Sequence, residues 1–506
     1  MQNECDRMEM TRTHRWCVMP LALAIGVITF IVYAWTAQRG ISWQDSGVFQ
    51  ARILTGQEMD LGGGLAVVHP WYLTAAKAFC FGFSGDAKIW AVNAFSGLGL
   101  AVAVTMLFGV IRQLTGNSLA ALVAAVTLGL AHMAWWLATI AEVYTWSLAF
   151  LMTELLCLIQ VVKKGDYKWW MMLAFVNGMH ASLHNVAFLN LPVYGIVWGW
   201  QAIKRTRRWW DWIGGAAVWC VGASLLLAMV WSDWRAHGDL IATLKSLLFG
   251  SVWQNIVLGV GKPSFRLILA NLSLAMVSML SPCWLFAGTG WRWNDAGSRA
   301  WCWVLLGMTV THGFFWVRYF VPDQATFVLP TLGLCAVWVG MGAARYGRRV
   351  LLAALACGIV CQVVSPLVLV EIAKAHVARA RTLPFRDEAK YWLIPWKHNE
   401  NSACQFVKEV DRQLANGDML IADLTAVTAI MAGRTAGIIK GDWHVGNWQS
   451  RFLKQNSDAE TLDNARMVLE RGNRVFVVSP VKRYVPDNVL KTFDFEQDGV
   501  LWRVKK

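Results

Sequence analysis

The chain has 506 residues, of which 56% are hydrophobic and only 15% charged, with a formal net charge of +14 at pH 7. Ordinary soluble domains carry nearer a quarter charged residues, so this composition excludes a soluble enzyme over most of the length. The positive charge does not point to nucleic acid, because the basic residues fall in short connections between apolar runs: KRTRR before Trp209, RYGRR ending at Arg349 and KKGDYK at 163–168. In such places they act as topology determinants.

In chain order, residues 1–16 are polar with Arg7, Arg12, His14 and Arg15, which predicts a cytoplasmic amino-terminal segment. The apolar run at 17–36 exceeds a typical signal-peptide core and is followed by further apolar runs, so it reads as a retained span. Further spans are expected near 88–110, 118–137, 143–162, 169–184, 186–201, 211–231, 266–289, 301–317, 325–343 and 350–372, about eleven in all, each long enough to cross about 30 Å of hydrocarbon. They must be helices, since runs such as SLAALVAAVTLGLAHMAWWL do not alternate as barrel strands do. Many of the 31 tryptophans stand at span ends, among them Trp135, Trp136, Trp169, Trp170, Trp209 and Trp210.

These spans form an all-α polytopic membrane domain over 17–372. With the amino terminus inside, every basic connection falls on the cytoplasmic side. Segments 37–87 and 232–265 become outer loops, half apolar and interrupted by Gly and Pro, suited to helices lying along the membrane surface. An odd span count places the tail, 373–506, on the outer side of a bacterial cytoplasmic (inner) membrane, periplasmic or extracellular.

The tail reads as a small soluble α/β domain: a helix at CQFVKEVDRQL, a strand at MLIADL, a helix at TAVTAIMAG, a short strand at GIIKG, a helix at ETLDNARMVLERG, and strands at RVFVVS and VLWRVKK. No Gly-rich phosphate turn follows any strand, so nucleotide binding is not expected. Of eleven cysteines only Cys404 lies in the tail, and no CxxC spacing occurs, which excludes a disulfide framework there and a zinc or redox motif.

Three polar clusters need a reason. In WQDSGVFQARILTGQEMDLGGGLAVVHPWYL, Asp45 lies just beyond the first span, followed by Ser46, Glu58, Asp60 and His69–Pro70. A carboxylate at that depth suits proton abstraction from a hydroxyl, or holding a divalent cation against a phosphate; it equally suits a solvated cap of the next helix. His69, expected in an extended conformation before proline, fits contact with an anionic substrate or plain interface placement. In WWLATIAEVY, Glu142 stands at an outer turn beside Tyr144, where a charge must be paired, hydrated or useful.

In GMHASLHN, His180 and His184 are four apart and share a helical face, without the glutamate of a zinc-protease motif; substrate contact, metal binding and polar helix packing remain open. In THGFFWVRYFVPDQATFVLP, His312, Arg318, Asp323 and Gln324 surround a late outer connection. Arg318 suits a phosphate clamp, or a pair with Asp323 that fixes the loop. All three clusters fall on one membrane face.

DSG at 45–47, HP at 69–70, NAFSGLGLAVAV from Asn93, WWLATIAEVY, GMHASLHN and VPDQATFVLP, in that order, resemble the bacterial DUF2723 membrane family, related to eukaryotic protein O-mannosyltransferases of the TMEM260 type. The likeness covers about residues 20–372; it departs at HPWYL, where the family has HPPG or HPxG. The resemblance implies a GT-C glycosyltransferase that moves a sugar from a polyprenyl-phosphate donor to a protein or lipid/glycan acceptor at the outer face, by inversion, with Asp45 as the catalytic carboxylate. It further implies that Glu142, His180, His184, Arg318 and Asp323 line or support the donor and acceptor sites. No cofactor follows with certainty; a divalent cation fits the chemistry. A transporter or flippase of a lipid-linked sugar, and a non-catalytic membrane scaffold, are the other readings.

Overall fold

A computed structural model describes residues 20–56, 64–204, 208, 210–250, 265–291, 296–321, 323–376, 383–447, 457–482 and 484–505. The amino-terminal segment 1–16 and two expected site residues, Glu58 and Asp60, lie outside the described residues.

Every expected span coincides with a helix or a bent pair of helices. Six are long and apolar enough to cross a membrane: Gly85–Thr115, Tyr144–Lys163, Asn185–Ile203, Arg299–Arg318, Gln324–Ala343 and Arg348–Lys374. Three bent pairs pass the same test together, each as a broken span or a re-entrant loop: Ser118–Gly129 with His132–Ala138 (66°), Asp211–Gly222 with Ser224–His237 (76°), and Phe265–Val277 with Pro282–Gly290 (90°). Pro20–Thr36 is a shorter apolar helix, and Tyr167–Leu183 buries Asn177 and His180. Length and composition thus mark at most nine crossings among the described residues, fewer than the eleven or so expected from apolar runs.

The bends have local causes. After Gly129 the chain leaves the helical basin at Ala131 (ψ 131°), and the freed Met133 amide donates to Ser278 Oγ at 2.9 Å. At the second bend, Gly222 packs against Gly178 on Tyr167–Leu183. A Cβ at Gly222 would lie 2.2 Å from the Phe175 carbonyl oxygen and one at Gly178 2.3 Å from that of Trp219, so only glycine permits the crossing. Apolar side chains such as Leu23, Ile28, Ile196, Phe314, Leu367 and Val368 are exposed on the outside, as lipid contact requires.

Between Pro20–Thr36 and Gly85–Thr115 the chain forms the surface helices Gln44–Thr55 and Pro70–Phe79 with a 3-10 turn at Leu65–Val67, and the later loop carries Leu240–Phe249.

The tail builds a five-stranded sheet from β1 (Met419–Ala422), β2 (His444–Asn447), β3 (Val475–Val477), β4 (Asp494–Asp498) and β5 (Leu501–Lys505). Their spatial order is β2-β1-β3-β5-β4. β1 pairs in parallel with β2 (Met419 opposite His444) and with β3 (Met419 opposite Val475), while β5 runs antiparallel to β3 and β4. The parallel pairs are bridged by the helices Leu424–Thr435 and Asp458–Glu470, the latter opened by a Ser457–Glu460 capping box.

The strand expected at GIIKG forms later, at His444–Asn447. Gly437 takes φ 70° after the preceding helix, and the Lys440 and Gly441 amides donate to the Asp411 carboxylate (3.0 and 2.9 Å) rather than to a strand.

The tail is fastened to the loop side of the membrane helices. Trp43, wholly buried, donates from Nε1 to Ser402 Oγ at 2.8 Å and lies 5.1 Å from the Phe406 ring. The Lys397 amide donates to Thr36 O at 2.7 Å, Trp136 Nε1 to Tyr391 O at 3.0 Å, and Thr139 Oγ1 to Pro395 O at 2.7 Å.

Candidate active site

The carboxylates expected from sequence come from three distant segments and meet on the tail side of the helices. Asp45 sits in the first turn of Gln44–Thr55, whose N-cap, Trp43, has no side-chain cap, so Asp45 is not the helix-capping residue. Glu142 lies between His132–Ala138 and Tyr144–Lys164, and Asp323 directly before the 3-10 turn Gln324–Val328. Ser46 Oγ donates to Glu142 Oε1 at 3.2 Å, joining the first two segments. Asp45, Glu142 and Asp323 are close enough to repel one another electrostatically.

That repulsion adds to burial. Burial first, and then Asp323, pushes the Asp45 carboxyl up to about 7. Glu142 is pushed well above the usual carboxylate range by burial, Asp45 and Asp323, and Asp323 is raised by its own burial. Near neutral pH the cluster therefore holds protons that isolated carboxylates release, and its protons belong to the group as a whole.

A polar scaffold fixes the Asp45 helix. Gln50 Oε1 accepts from the Ser42 amide at 2.8 Å, and Gln50 Nε2 donates to Asn93 Oδ1 at 2.9 Å. Asn93 Nδ2 donates to Gln38 O at 2.9 Å, while Ser96 Oγ bonds both the amide (2.8 Å) and the carbonyl (2.9 Å) of Glu142. Asn93 and Ser96 are wholly buried on Gly85–Thr115 and hold the two acid-bearing segments in register. Sequence reading gave them no role; the available signal was a pair of polar side chains three apart inside an apolar helix.

The histidines correct two expectations. His69 is not extended: it stands at φ 54°, ψ 55°. Proline bars the right-handed helical basin to its predecessor, but His69 takes the left-handed one. It is held there by Nδ1, 2.7 Å from Leu183 O, and by stacking on His184 at 5.2 Å. His180 and His184 do not share a helical face. The helix ends at Leu183 and His184 is extended, so His184 turns to His69 while His180 points inward to Glu154 at 2.7 Å.

Burial drives His69 down to about 4, partly offset by its Leu183 bond and reinforced by Arg52, and drives His184 below its usual range as well. Both are neutral imidazoles at pH 7, able to hydrogen-bond a ligand but not to supply charge. Tyr144 completes this wall, 5.6 Å from His184 and 5.1 Å from Phe327.

Two expected residues are not brought into the cluster. Arg318 is exposed at its helix end with its guanidinium 5.9 Å from the Phe320 ring. Gln324 is buried and donates to Trp316 O (2.9 Å) and Val317 O (3.2 Å), fastening the turn before Gln324–Val328. His312 is buried beneath the site, with Nε2 2.8 Å from Asn190 Oδ1. Among the described residues no group of three His, Cys, Asp or Glu side chains is placed to hold a metal ion.

Three non-glycine residues have positive φ among the described residues: Gln44 (57°), His69 (54°) and Phe385 (64°). Two of them belong to the site, Gln44 adjoining Asp45, as expected where function holds the backbone in a sparsely populated conformation.

The chain is similar in fold to ArnT from Cupriavidus metallidurans. Against that protein bound to undecaprenyl phosphate the TM-score is 0.61, with 11% identity over 96% of this chain and 97% of the other. Against its apo state the values are 0.59, 12%, 97% and 98%. The chain matches no protein-family model and no curated protein.

Proposed function

We propose that this protein is a GT-C-type membrane glycosyltransferase that moves a sugar from a polyprenyl-phosphate-linked donor to a hydroxyl of a protein or lipid/glycan acceptor at the extracytoplasmic membrane face. The observation that carries the reading is the convergence of Asp45, Glu142 and Asp323 at one end of an ArnT-like fold, with Asp45 held near 7. The bound lipid phosphate of that ArnT structure supports the donor class.

In this mechanism Asp45 takes the proton of the acceptor hydroxyl as the hydroxyl oxygen attacks the anomeric carbon. The bond from that carbon to the phosphate oxygen breaks, polyprenyl phosphate leaves with the electron pair, and the configuration inverts. A base near 7 is matched to neutral operating pH. Glu142, whose carboxyl burial and the neighbouring Asp45 and Asp323 push upward, hydrogen-bonds the sugar, and the imidazoles of His69 and His184 with Tyr144 orient it. Arg318, exposed at its helix end outside the carboxylate cluster, is the cation offered to the lipid phosphate as it arrives. No step passes through a metal ion.

The test is transfer of labelled sugar from a panel of polyprenyl-phosphate sugars to membrane and secreted acceptors, native protein against Asp45→Asn at matched expression and folded fraction. Transfer that vanishes in the variant supports the reading. Undiminished transfer removes Asp45 from the chemistry, and no transfer from any donor by well-folded native protein sinks the enzyme reading in favour of a transporter or scaffold.

A further inference from the structure

Beneath the site one carboxyl, unused by the mechanism above, is hydrogen-bonded to four side chains. Glu154, wholly buried on Tyr144–Lys164, accepts from His180 Nδ1 (2.7 Å), Asn190 Nδ2 (2.8 Å), Tyr194 OH (2.5 Å) and Asn177 Nδ2 (3.3 Å). Two further helices join at one remove: His312 Nε2 meets Asn190 Oδ1 at 2.8 Å, and Trp219 Nε1 donates to Asn177 Oδ1 at 3.0 Å. His180 Nε2 in turn meets Ser147 Oγ at 2.7 Å. A carboxyl in the interior of a membrane domain is costly and is retained where it has a task.

The task is legible in what the partners hold. The turn 184–190 leaves the helix at His180, whose carbonyl accepts the His184 amide at 2.8 Å. Midway, Asn177 Nδ2 also donates to Ala187 O at 3.2 Å. At its far end stands Asn190, on the same carboxyl. Glu154 therefore pins the turn at entry, middle and exit, and the residue that opens the turn is His184, stacked on His69, with Tyr144 and Phe327 beside it.

We propose that Glu154 is a positioning residue for the site: by gathering His180, Asn177 and Asn190 on one carboxyl it sets the 184–190 turn so that His184 stacks on His69 in the substrate wall. The inference rests on the glycosyltransferase reading only for its effect on turnover; the placement of His184 is independent of it. Glutamine at 154 keeps the shape but leaves a single acceptor oxygen facing four donors, and leucine removes the acceptor altogether.

The experiment uses the full chain in nanodiscs, as native protein and as Glu154→Gln, Glu154→Leu, Glu154→Asp and Tyr194→Phe. Diethyl pyrocarbonate modification of each histidine is followed by mass spectrometry, with the exposed His444 as internal reference, alongside melting temperature and the kcat and KM of transfer. Expected is a several-fold rise in His184 modification in Glu154→Gln at unchanged His444 rate, a smaller rise in Tyr194→Phe, partial recovery in Glu154→Asp, and a fall in kcat of about ten-fold or more from misplacement with KM less affected. His184 reactivity equal to native in Glu154→Gln and Tyr194→Phe overturns the proposal, whatever their stability. If Glu154→Leu does not fold, the single-donor variant Tyr194→Phe still decides it. Should the native protein transfer no sugar, the glycosyltransferase reading falls while histidine reactivity still tests the placement.

Discussion

Removing the charge at Asp323 probes the carboxylate cluster most directly. Asp45 is displaced from 3.8 to about 7, burial contributing most and Asp323 next. Asp323→Asn abolishes only the second contribution, so it returns less than half of that displacement, at most about 1.5 pH units. If Asp45 is the base, activity requires its ionised form, and kcat/KM rises with pH through an apparent value near 7 before reaching a plateau.

In Asp323→Asn the same limb is expected between about 5.5 and 6.5, so the variant outpaces its own plateau-normalised native profile at pH 6. The assay is the initial rate of labelled-sugar transfer from saturating and limiting polyprenyl-phosphate donor at pH 5 to 9, with folding checked at each pH. A native limb near 4, or a limb that Asp323→Asn leaves in place or moves upward, refutes the electrostatic account of the site.

The same displacement makes Asp45 a stability liability as pH rises: the folded state holds its proton more tightly, so stability is complete below about pH 4 and is lost as pH climbs through 7. Three pH units correspond to a ceiling of about 4 kcal/mol, and partial solvent access lowers the expectation to about 1–2 kcal/mol, so Asp45→Asn should melt above native protein at pH 8 and level with it at pH 4.5. Lys397, wholly buried with its ammonium 4.7 Å from the Tyr391 ring and 5.4 Å from that of Trp136, is pushed down to about 7 by burial, offset in part by Glu400. Its folded form sheds a proton the unfolded chain keeps, so stability rises with pH between 7 and 10.5; Lys397→Met should melt higher at pH 7, with the gap closing toward pH 10. Gly47→Ala places a Cβ 2.7 Å from Ser42 O and 2.9 Å from Thr428 O. This overpacking at the joint with the tail should cost about 1–3 kcal/mol, seen as a lower melting temperature and faster proteolysis within 383–505; an unchanged melt would mean the tail sits farther from the site helix.

How much of this was legible differs from element to element. Apolar length located the helices that are long and apolar enough to cross a membrane among the described residues, because the 20-odd residues needed to cross a bilayer leave a mark in composition, but it counted about eleven where at most nine pass that test. It did not distinguish a straight crossing from a bent one: the break at Ala131 is permitted because Ser278, far along the chain, accepts the Met133 amide's hydrogen. Asp45, Glu142 and Asp323 were legible as carboxylates too near hydrocarbon to lack a reason. Arg318 was legible by the same rule, yet packing leaves it at the surface beside Phe320.

Sequence by itself determined that this is a many-helix membrane protein with an α/β tail and acids on one face, since composition and periodicity are local properties. Only the tertiary structure decided that Asp45, Glu142 and Asp323 share one field, that His184 parts from His180 to stack on His69, and that Glu154 anchors the turn between them. Each of these depends on distances between segments that are remote along the chain. Electrostatic coupling and hydrogen bonding act over a few ångströms in space, whatever the separation in sequence.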